Sequence, residues 1–273
     1  MILLNSKKRL ATLLIVLIFG IIIFILDLGA TGLVDETPPL FAAAARAMSE
    51  SGDWLTPKVN GIFRFDKPPL IYWLMGFFYS LPKIEIWDSL GTISARLPSS
   101  LGSLFLMLMI ADTLFCWPQK GDKQFFTPIA GSLGFALSPL IIIWSRTAVS
   151  DALLTGTLGI SLLLFWRRMA SENNDKCIAA WAFLGFAILT KGPVAFVLAT
   201  LTITFFLIIQ KDWRSLLNKI NPKKGFLITI LISVPWYVLE LLREGRPFWD
   251  NFFGYHNFQR YTSVVNHLSL IHI

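Results

Sequence analysis

The stretch "FDKPPLIYW" (residues 65–73) sets an acid, a lysine and two prolines directly before an apolar and aromatic run. Upstream, "VDETPP" (residues 34–39) places two acids before another apolar segment. A charged group is costly to bury without a partner, so such abrupt junctions are expected where a chain passes from water into an apolar solvent. The role of these acids and bases therefore depends on which solvent each stretch meets.

Composition decides the class of protein. The chain has 273 residues, of which 55% are hydrophobic and 15% charged, and its mean hydropathy is +0.62. Soluble globular domains carry roughly 25% charged residues. The formal charge of +7 would suit a nucleic-acid partner, but the basic residues lie in short loops between apolar runs. We therefore predict a membrane protein with no nucleic-acid partner.

The apolar runs predict an all-α polytopic membrane protein with about seven transmembrane helices. Each run approaches the length that crosses a hydrocarbon core of about 30 Å. Inside that core the backbone must hydrogen bond within its own segment, so each run is predicted to be helical. The predicted spans are residues 10–26, 97–119, 124–145, 147–166, 177–190, 192–210 and 225–239.

The distribution of Lys and Arg predicts the orientation. Cytoplasmic loops carry an excess of basic residues. With the N-terminus in the cytoplasm, the inner segments hold more than half of the 24 Lys and Arg. These residues are Lys7, Lys8, Arg9, Lys120, Lys123, Arg167, Arg168, Lys176, Lys211, Arg214, Lys219, Lys223 and Lys224. Residues 29–95 then form a long first outer loop.

The outer loop is predicted to contain two interfacial helices. For the first, Thr37 is the expected N-cap, Pro38 the first helical residue, and Gly52 follows the end. The second is expected over residues 68–81, which is too short to cross a bilayer. Its apolar stripe comprises Leu70, Trp73, Leu74, Phe77, Phe78 and Leu81. Tyr72, Trp73 and Tyr79 are the aromatic types found at the membrane–water interface.

Acids directly precede both helices, and two interpretations stay open. Asp35 and Glu36 precede the first helix, while Asp66 and Lys67 precede the second. The acids could simply stabilise the positive helix N-termini. Alternatively, an ionised carboxylate at the lipid–water boundary could act as a general base.

Further charges fall at predicted outer turns. "SRTAVSD" contains Arg146 and Asp151, and "LTKGP" contains Lys191. An Arg–Asp pair that closes a turn and a lysine that reaches the interface would explain them structurally. Cations beside a lipid face would also suit a phosphate group.

At this point the sequence resembles a known family. The stretch "VDETPPLFAAAARAMSESGDWLTPKVNGIFRFDKPPLIYW" (residues 34–73) is similar to the first outer loop of polyprenyl-phosphate-dependent glycosyltransferases of the aminoarabinose transferase and protein O-mannosyltransferase type. "ARLPS", "SRTAVSDALLT", "LTKGPVA", "VPWYVL" and "HNFQRY" continue the similarity in the same order. The resemblance covers roughly residues 10–267. It implies a GT-C-like helical bundle in the bacterial inner membrane, with its active site on the outer face.

The resemblance also implies an inverting glycosyltransferase. Such an enzyme moves a sugar from a polyprenyl-phosphate carrier to a lipid or protein acceptor. Asp35 and Glu36 would be the catalytic acids. The residues implied to bind the carrier phosphate are Lys67, Arg146, Asp151, Lys191 and Arg260. No cofactor is required, but the family can hold a divalent metal, and the matching positions here are Asp66 and His256.

The length of the chain raises alternatives. Family members are much longer, so residues 1–273 are expected to be the N-terminal transmembrane domain of a longer glycosyltransferase, with residues 240–273 a truncated outer loop. A separately encoded C-terminal half would be a partner in that case. The alternatives are an inactive fragment and a non-enzymatic lipid-handling or transport protein.

Overall fold

The computed structural model describes residues 2–117, 125–171, 177–210 and 213–259, and these residues are overwhelmingly helical. The helices are α1 (Ile2–Phe24), α2 (Thr37–Ser51), α3 (Leu70–Tyr79), α4 (Ile84–Trp87), α5 (Thr92–Cys116), α6 (Phe126–Ala136), α7 (Pro139–Ser145), α8 (Ser150–Ala170), α9 (Ile178–Lys191), α10 (Pro193–Ile209), α11 (Trp213–Ile220), α12 (Pro222–Glu244) and α13 (Arg246–Phe248), followed by a π-helix (Trp249–Gln259). Two short antiparallel strands, β1 (Lys58–Val59) and β2 (Ile62–Phe63), form a hairpin in the outer loop.

Each predicted span coincides with helix, although the lengths differ. By length and composition, α5 and α12 are each able to cross a membrane, and the bent pair α6 and α7 would be a third span. Helices α9 and α10 are apolar but shorter. The predicted number of seven crossings therefore stays a prediction.

The third predicted span is not one straight helix. Residues 124–145 were expected to cross as a unit, but α6 and α7 meet at an angle of 68°. The cause is Pro139, which has no N–H to continue the helix and holds the preceding Ser138 in an extended conformation, with ψ at 126°. The prediction of an unbroken helix here is wrong.

Glycines allow the central helices α5 and α8 to approach closely. A Cβ atom on Gly156 of α8 would lie only 2.5 Å from the carbonyl oxygen of Gly102 in α5. Small residues at such crossings let two backbones touch, which is how apolar helices gain packing energy inside lipid.

A charged cluster joins three helices at the end of the bundle where α5 and α8 terminate. The carboxylate of Asp112 in α5 accepts hydrogen bonds from Arg9 of α1 at 2.6 Å and from Arg167 of α8 at 2.9 Å. Asp112 is the charge inside the second predicted span. Its two cationic partners offset the cost of placing a carboxylate beside lipid.

Both helices predicted between the first two spans are present, with shifted ends, and their place at the outer membrane surface stays a prediction. The N-cap position of α2 is Glu36 rather than Thr37, and no side chain hydrogen bonds to the helix end. Gly52 ends the helix in the left-handed conformation with φ at +72°. Helix α3 starts at Leu70 and ends at Tyr79, so it is shorter than expected.

The aromatic residues of α3 do not all lie at the surface. Tyr72 was expected at the membrane interface, but it is fully buried against α2, where its ring stacks on Phe41 with centroids 5.2 Å apart. Tyr79 is buried as well and donates to the Gly91 carbonyl at 2.6 Å. The interfacial prediction is wrong for these two tyrosines because α3 turns its tyrosine face toward α2 and α5.

Candidate functional site

A cavity of about 700 Å³ opens between the outer loop and the ends of α8 and α9. Its wall combines side chains from five separate segments of the chain. The lining residues are Asp35, Thr37, Pro38, Phe41, Arg64, Asp66, Lys67, Trp144, Thr147, Val149, Ser150, Asp151, Leu154, Lys191, Val194, Leu198 and Phe252. The structure therefore brings together five of the nine predicted site residues: Asp35, Asp66, Lys67, Asp151 and Lys191.

Asp35 lies at the cavity mouth, just before α2. Its backbone has φ at +78°, in the left-handed region that costs energy for a residue with a side chain, although Asp tolerates it better than most. One carboxylate oxygen accepts the backbone N–H of Glu36 at 2.7 Å. Helix α2 has no side-chain cap, so Asp35 does not cap it, and its carboxylate is exposed where it lines the cavity.

Asp66 is held by two side chains deeper in the wall. Arg64 donates to one carboxylate oxygen at 2.7 Å, and the hydroxyl of Tyr72 donates to the other at 3.0 Å. Burial raises the pKa of Tyr72 well above its usual value, and the charge of Asp66 raises it further, so the hydroxyl stays protonated and keeps donating. Asp66 does not cap α3, whose N-cap is Pro69.

Lys191 and Asp151 form an ion pair across the cavity. The ammonium of Lys191 donates to a carboxylate oxygen of Asp151 at 2.5 Å. Lys191 is the last residue of α9 and Asp151 lies in the first turn of α8, so each charge also suits the dipole of its own helix. Gly192, with φ at +82°, then turns the chain sharply into α10. The pair is half exposed, so an incoming ligand can reach the ammonium.

Helix α5 fixes two of the segments that carry these groups. Arg96 donates to the carbonyls of Leu28, Thr31 and Gly32 at 2.6 to 2.8 Å, which holds the segment leading to Asp35. Ser99 donates to the Val149 carbonyl at 2.7 Å, just before α8 begins. The "ARLPSS" stretch thus acts as a tether for the cavity wall.

Arg146 does not line the cavity. Its guanidinium donates to the carbonyls of Ile23, Leu26 and Asp27 at 2.8 to 3.2 Å and so closes the end of α1. The alternative of an Arg146–Asp151 pair is wrong, because Asp151 binds Lys191 instead.

The remaining predicted site residues lie at the edge of the cavity or outside the described part. Lys67 lines the wall, and its ammonium donates to the Asp66 carbonyl at 3.1 Å. Glu36 is exposed at the N-terminus of α2 and does not line the cavity. Arg260 lies outside the described residues, and for His256 only its place in the π-helix is described.

A metal at Asp66 stays a prediction. Within residues 2–117, 125–171, 177–210 and 213–259, no three His, Cys, Asp or Glu side chains cluster in a way that could hold a metal ion. Both oxygens of Asp66 already accept hydrogen bonds, one of them from the cation Arg64. Asp66 in this environment does not fit a metal ligand, because Arg64 already supplies the positive charge that its carboxylate meets.

Sequence reasoning missed Arg64 and Tyr72. Arg64 precedes Asp66 by two residues and follows the β-hairpin, which points its side chain back into the cavity. Its guanidinium also lies 5.1 Å from the Phe41 ring. The available signal was the "RFD" spacing and a phenol in the first turn of an otherwise apolar helix.

The family model described as dolichyl-phosphate-mannose-protein mannosyltransferase matches residues 66–238. The chain belongs to this family. The match includes Asp66, Lys67, Asp151 and Lys191 of the cavity wall, whereas Asp35 lies N-terminal to it.

Curated relatives of this family member are about twice as long. An undecaprenyl phosphate-alpha-4-amino-4-deoxy-L-arabinose arabinosyl transferase of Pseudomonas fluorescens is 27% identical over 94% of this chain and 45% of the relative. An uncharacterized protein of Aquifex aeolicus is 31% identical over 80% of the chain and 46% of the relative. The chain thus spans about half the length of the curated relatives it matches.

A solved structure confirms the fold. The crystal structure of ArnT from Cupriavidus metallidurans bound to undecaprenyl phosphate superposes with a TM-score of 0.76 at 24% identity, over 92% of this chain and 45% of ArnT. The predicted all-α, GT-C-like polytopic membrane fold is therefore confirmed. The inner membrane and the orientation stay predictions.

Proposed function

We propose that this chain carries the donor-phosphate site and the catalytic carboxylate of a membrane glycosyltransferase that uses a polyprenyl-phosphate sugar. The observation that carries the proposal is the cavity of about 700 Å³ in which three acids and two lysines from distant segments meet beside apolar helices. The similarity to undecaprenyl-phosphate-dependent arabinosyl transferases supports this choice of donor. The acceptor would be a lipid or a protein.

Asp35 is the proposed general base. Its exposed carboxylate at the mouth would accept the proton of an acceptor hydroxyl, whose oxygen then attacks the anomeric carbon with inversion. The bond between that carbon and the carrier phosphate breaks, and the phosphate leaves with the electron pair. An aspartate fixed by its own backbone conformation satisfies the positional requirement for such proton transfer.

The lysines of the wall would stabilise the leaving phosphate. Lys191 and Lys67 supply positive charge where negative charge develops, which is the dominant electrostatic contribution in many enzymes. Asp151 is an unsuitable phosphate ligand because it is itself an anion. We assign it a positioning role, since its bond of 2.5 Å orients the Lys191 ammonium.

A transfer assay tests the proposal. Membranes containing the chain are supplied with radiolabelled polyprenyl-phosphate aminoarabinose and lipid A, both with and without the coexpressed C-terminal half of the P. fluorescens relative. Release of free polyprenyl phosphate together with labelled lipid is the expected result in at least one arm. Carrier flipping between leaflets with no sugar transfer in either arm would favour the lipid-handling alternative and would contradict the enzymatic proposal.

The site is proposed to face the outside of the bacterial inner membrane. In a variant with both native cysteines replaced by serine, a cysteine at exposed Glu85 should react with a membrane-impermeant maleimide on intact cells. A cysteine at exposed Lys223, near the start of α12, should react only after permeabilisation. The reverse order of labelling would contradict the orientation.

A further inference from the structure

A second cavity lies at the end of the bundle opposite the first cavity, which Asp35, Asp151 and Lys191 line. It has a volume of about 450 Å³ and is formed where α8 ends and where α9 and α12 begin, with α11 beside it. Its lining residues are Arg168, Cys177, Ile178, Trp181, Asn218, Lys219, Ile220, Asn221, Lys224, Gly225 and Ile228. Helix α8 runs from one cavity to the other: its first turn lines the first cavity and its last turn lines the second.

The second cavity is strongly cationic. Lys219 and Lys224 contribute two positive charges beside Arg168, and no carboxylate is among the described residues that line it. Lys219 donates to the carbonyls of Met169 and Ser171 at 3.1 Å, but these neutral groups leave its charge in place. Within the described residues, no salt bridge joins Lys219 or Lys224 to an acid. Such a pocket selects an anion.

Two helix N-termini add to this preference. Helices α9 and α12 both begin at the cavity, and neither has a side-chain cap. Their first N–H groups carry partial positive charge and are available to oxygen acceptors. Asn221 and Asn218 add amide donors at the rim. Phosphate oxygens match this combination of cations and N–H groups.

The floor of the cavity is rigid. The indole N–H of Trp181 donates to the Ile220 carbonyl at 2.8 Å, which joins α9 to α11. Gly225 lets α12 pass directly over that indole, because a Cβ atom at residue 225 would lie 2.0 Å from the ring nitrogen. Packing among α9, α11 and α12 therefore forms this part of the cavity wall.

The surroundings favour a lipid over a soluble anion. Ile178 at the mouth is 49% exposed, and Leu227 on α12 just beyond the cavity is 57% exposed. The amphipathic helix α11 presents Trp213, a residue type that lies at membrane interfaces, and buries Ile220. An acyl chain could therefore lie along α12 while its headgroup occupies the cationic cavity.

We propose that this cavity binds the phosphodiester headgroup of an anionic membrane lipid, at the membrane surface opposite the first cavity. Basic pockets between helix ends are a recognised geometry for such headgroups. The site is separate from the proposed transfer chemistry, since none of its residues lines the first cavity.

Native mass spectrometry of the purified full chain, titrated with phosphatidylglycerol or phosphatidylcholine, tests this proposal. Phosphatidylglycerol should bind more tightly, and Lys224→Gln should weaken its binding about fivefold, the scale of one basic side chain beside an anionic headgroup. Lys223→Gln is the matched control: Lys223 is the neighbouring exposed cation on α12 but does not line the cavity. It should change binding less than twofold.

Three results would overturn the proposal. Equal binding of the two lipids would remove the anionic headgroup as the ligand. An equal loss in Lys223→Gln and Lys224→Gln would indicate diffuse attraction rather than a site. Displacement of phosphatidylglycerol by millimolar inorganic phosphate would assign the cavity to a soluble anion. Unchanged thermal unfolding of the two variants shows that any loss of binding is local.

Discussion

Asp35→Asn is expected to lower sugar transfer by about 10²–10⁴, the usual range for loss of a general base. The substitution keeps the size of the side chain and removes its charge. Asn also tolerates the left-handed backbone that Asp35 adopts, with φ at +78°, so the cavity mouth should keep its shape. The measurement is the initial rate of transfer in membranes that carry equal amounts of each variant.

The neighbouring acid supplies the matched control for this result. Glu36→Gln removes a charge one residue away, but Glu36 is exposed at the helix N-terminus and does not line the cavity. We expect a loss of no more than about fivefold, because a charge near a helix end contributes only about 0.3–1 kcal/mol. If Asp35 served only the helix, Asn would replace it without loss, since the two are equivalent N-caps. Near-normal transfer in Asp35→Asn would therefore exclude Asp35 from the chemistry.

Lys191→Ala is expected to weaken binding of the polyprenyl-phosphate carrier about 10- to 100-fold. A hydrogen bond to a charged group contributes about 1.5–3 kcal/mol, and the loss also leaves Asp151 without its cationic partner, facing the phosphate. Binding is measured directly with the purified chain and undecaprenyl phosphate in detergent, so the result does not depend on catalytic turnover.

Two further variants separate contact with the phosphate from general charge effects. Lys191→Arg should restore binding only in part, because a planar guanidinium cannot reproduce the position of a compact ammonium. Lys58→Ala removes a cation from the segment between α2 and α3, where it pairs with Asp53 at 3.2 Å outside the cavity, and should leave carrier binding unchanged. Wild-type binding in Lys191→Ala would mean that this lysine only reaches toward the interface and pairs with Asp151.

The acidic junction before α3 shows where sequence reasoning succeeded and where it stopped. The abrupt change from "FDKPP" to an apolar run correctly predicted a short helix that follows an acid. It did not predict that Arg64 and Tyr72 would satisfy both oxygens of Asp66. Those partners depend on the hairpin that precedes Arg64 and on the packing of α3 against α2, and neither leaves a periodic signal.

Arg146 and Lys191 show the same limit for cations. Both follow apolar runs at predicted outer turns, so their sequence contexts look alike. Arg146 closes the end of α1, over a hundred residues earlier in the chain, whereas Lys191 meets Asp151 across the cavity. The difference arises from the bend between α6 and α7 and from the turn at Gly192, which direct the two side chains to different neighbours.

The sequence by itself determined that this protein is a helical membrane protein with charged groups at the ends of its helices. Hydrocarbon imposes that outcome locally, because each apolar segment must satisfy its own backbone hydrogen bonds and exclude unpaired charge. Only the tertiary structure decided which charges share a cavity. Asp35, Asp66, Asp151 and Lys191 are far apart along the chain and meet because Gly102, Gly156 and the Arg96 tether set the approach of α5, α8 and the outer loop. Such long-range contacts depend on packing between segments, and no local pattern of residues encodes them.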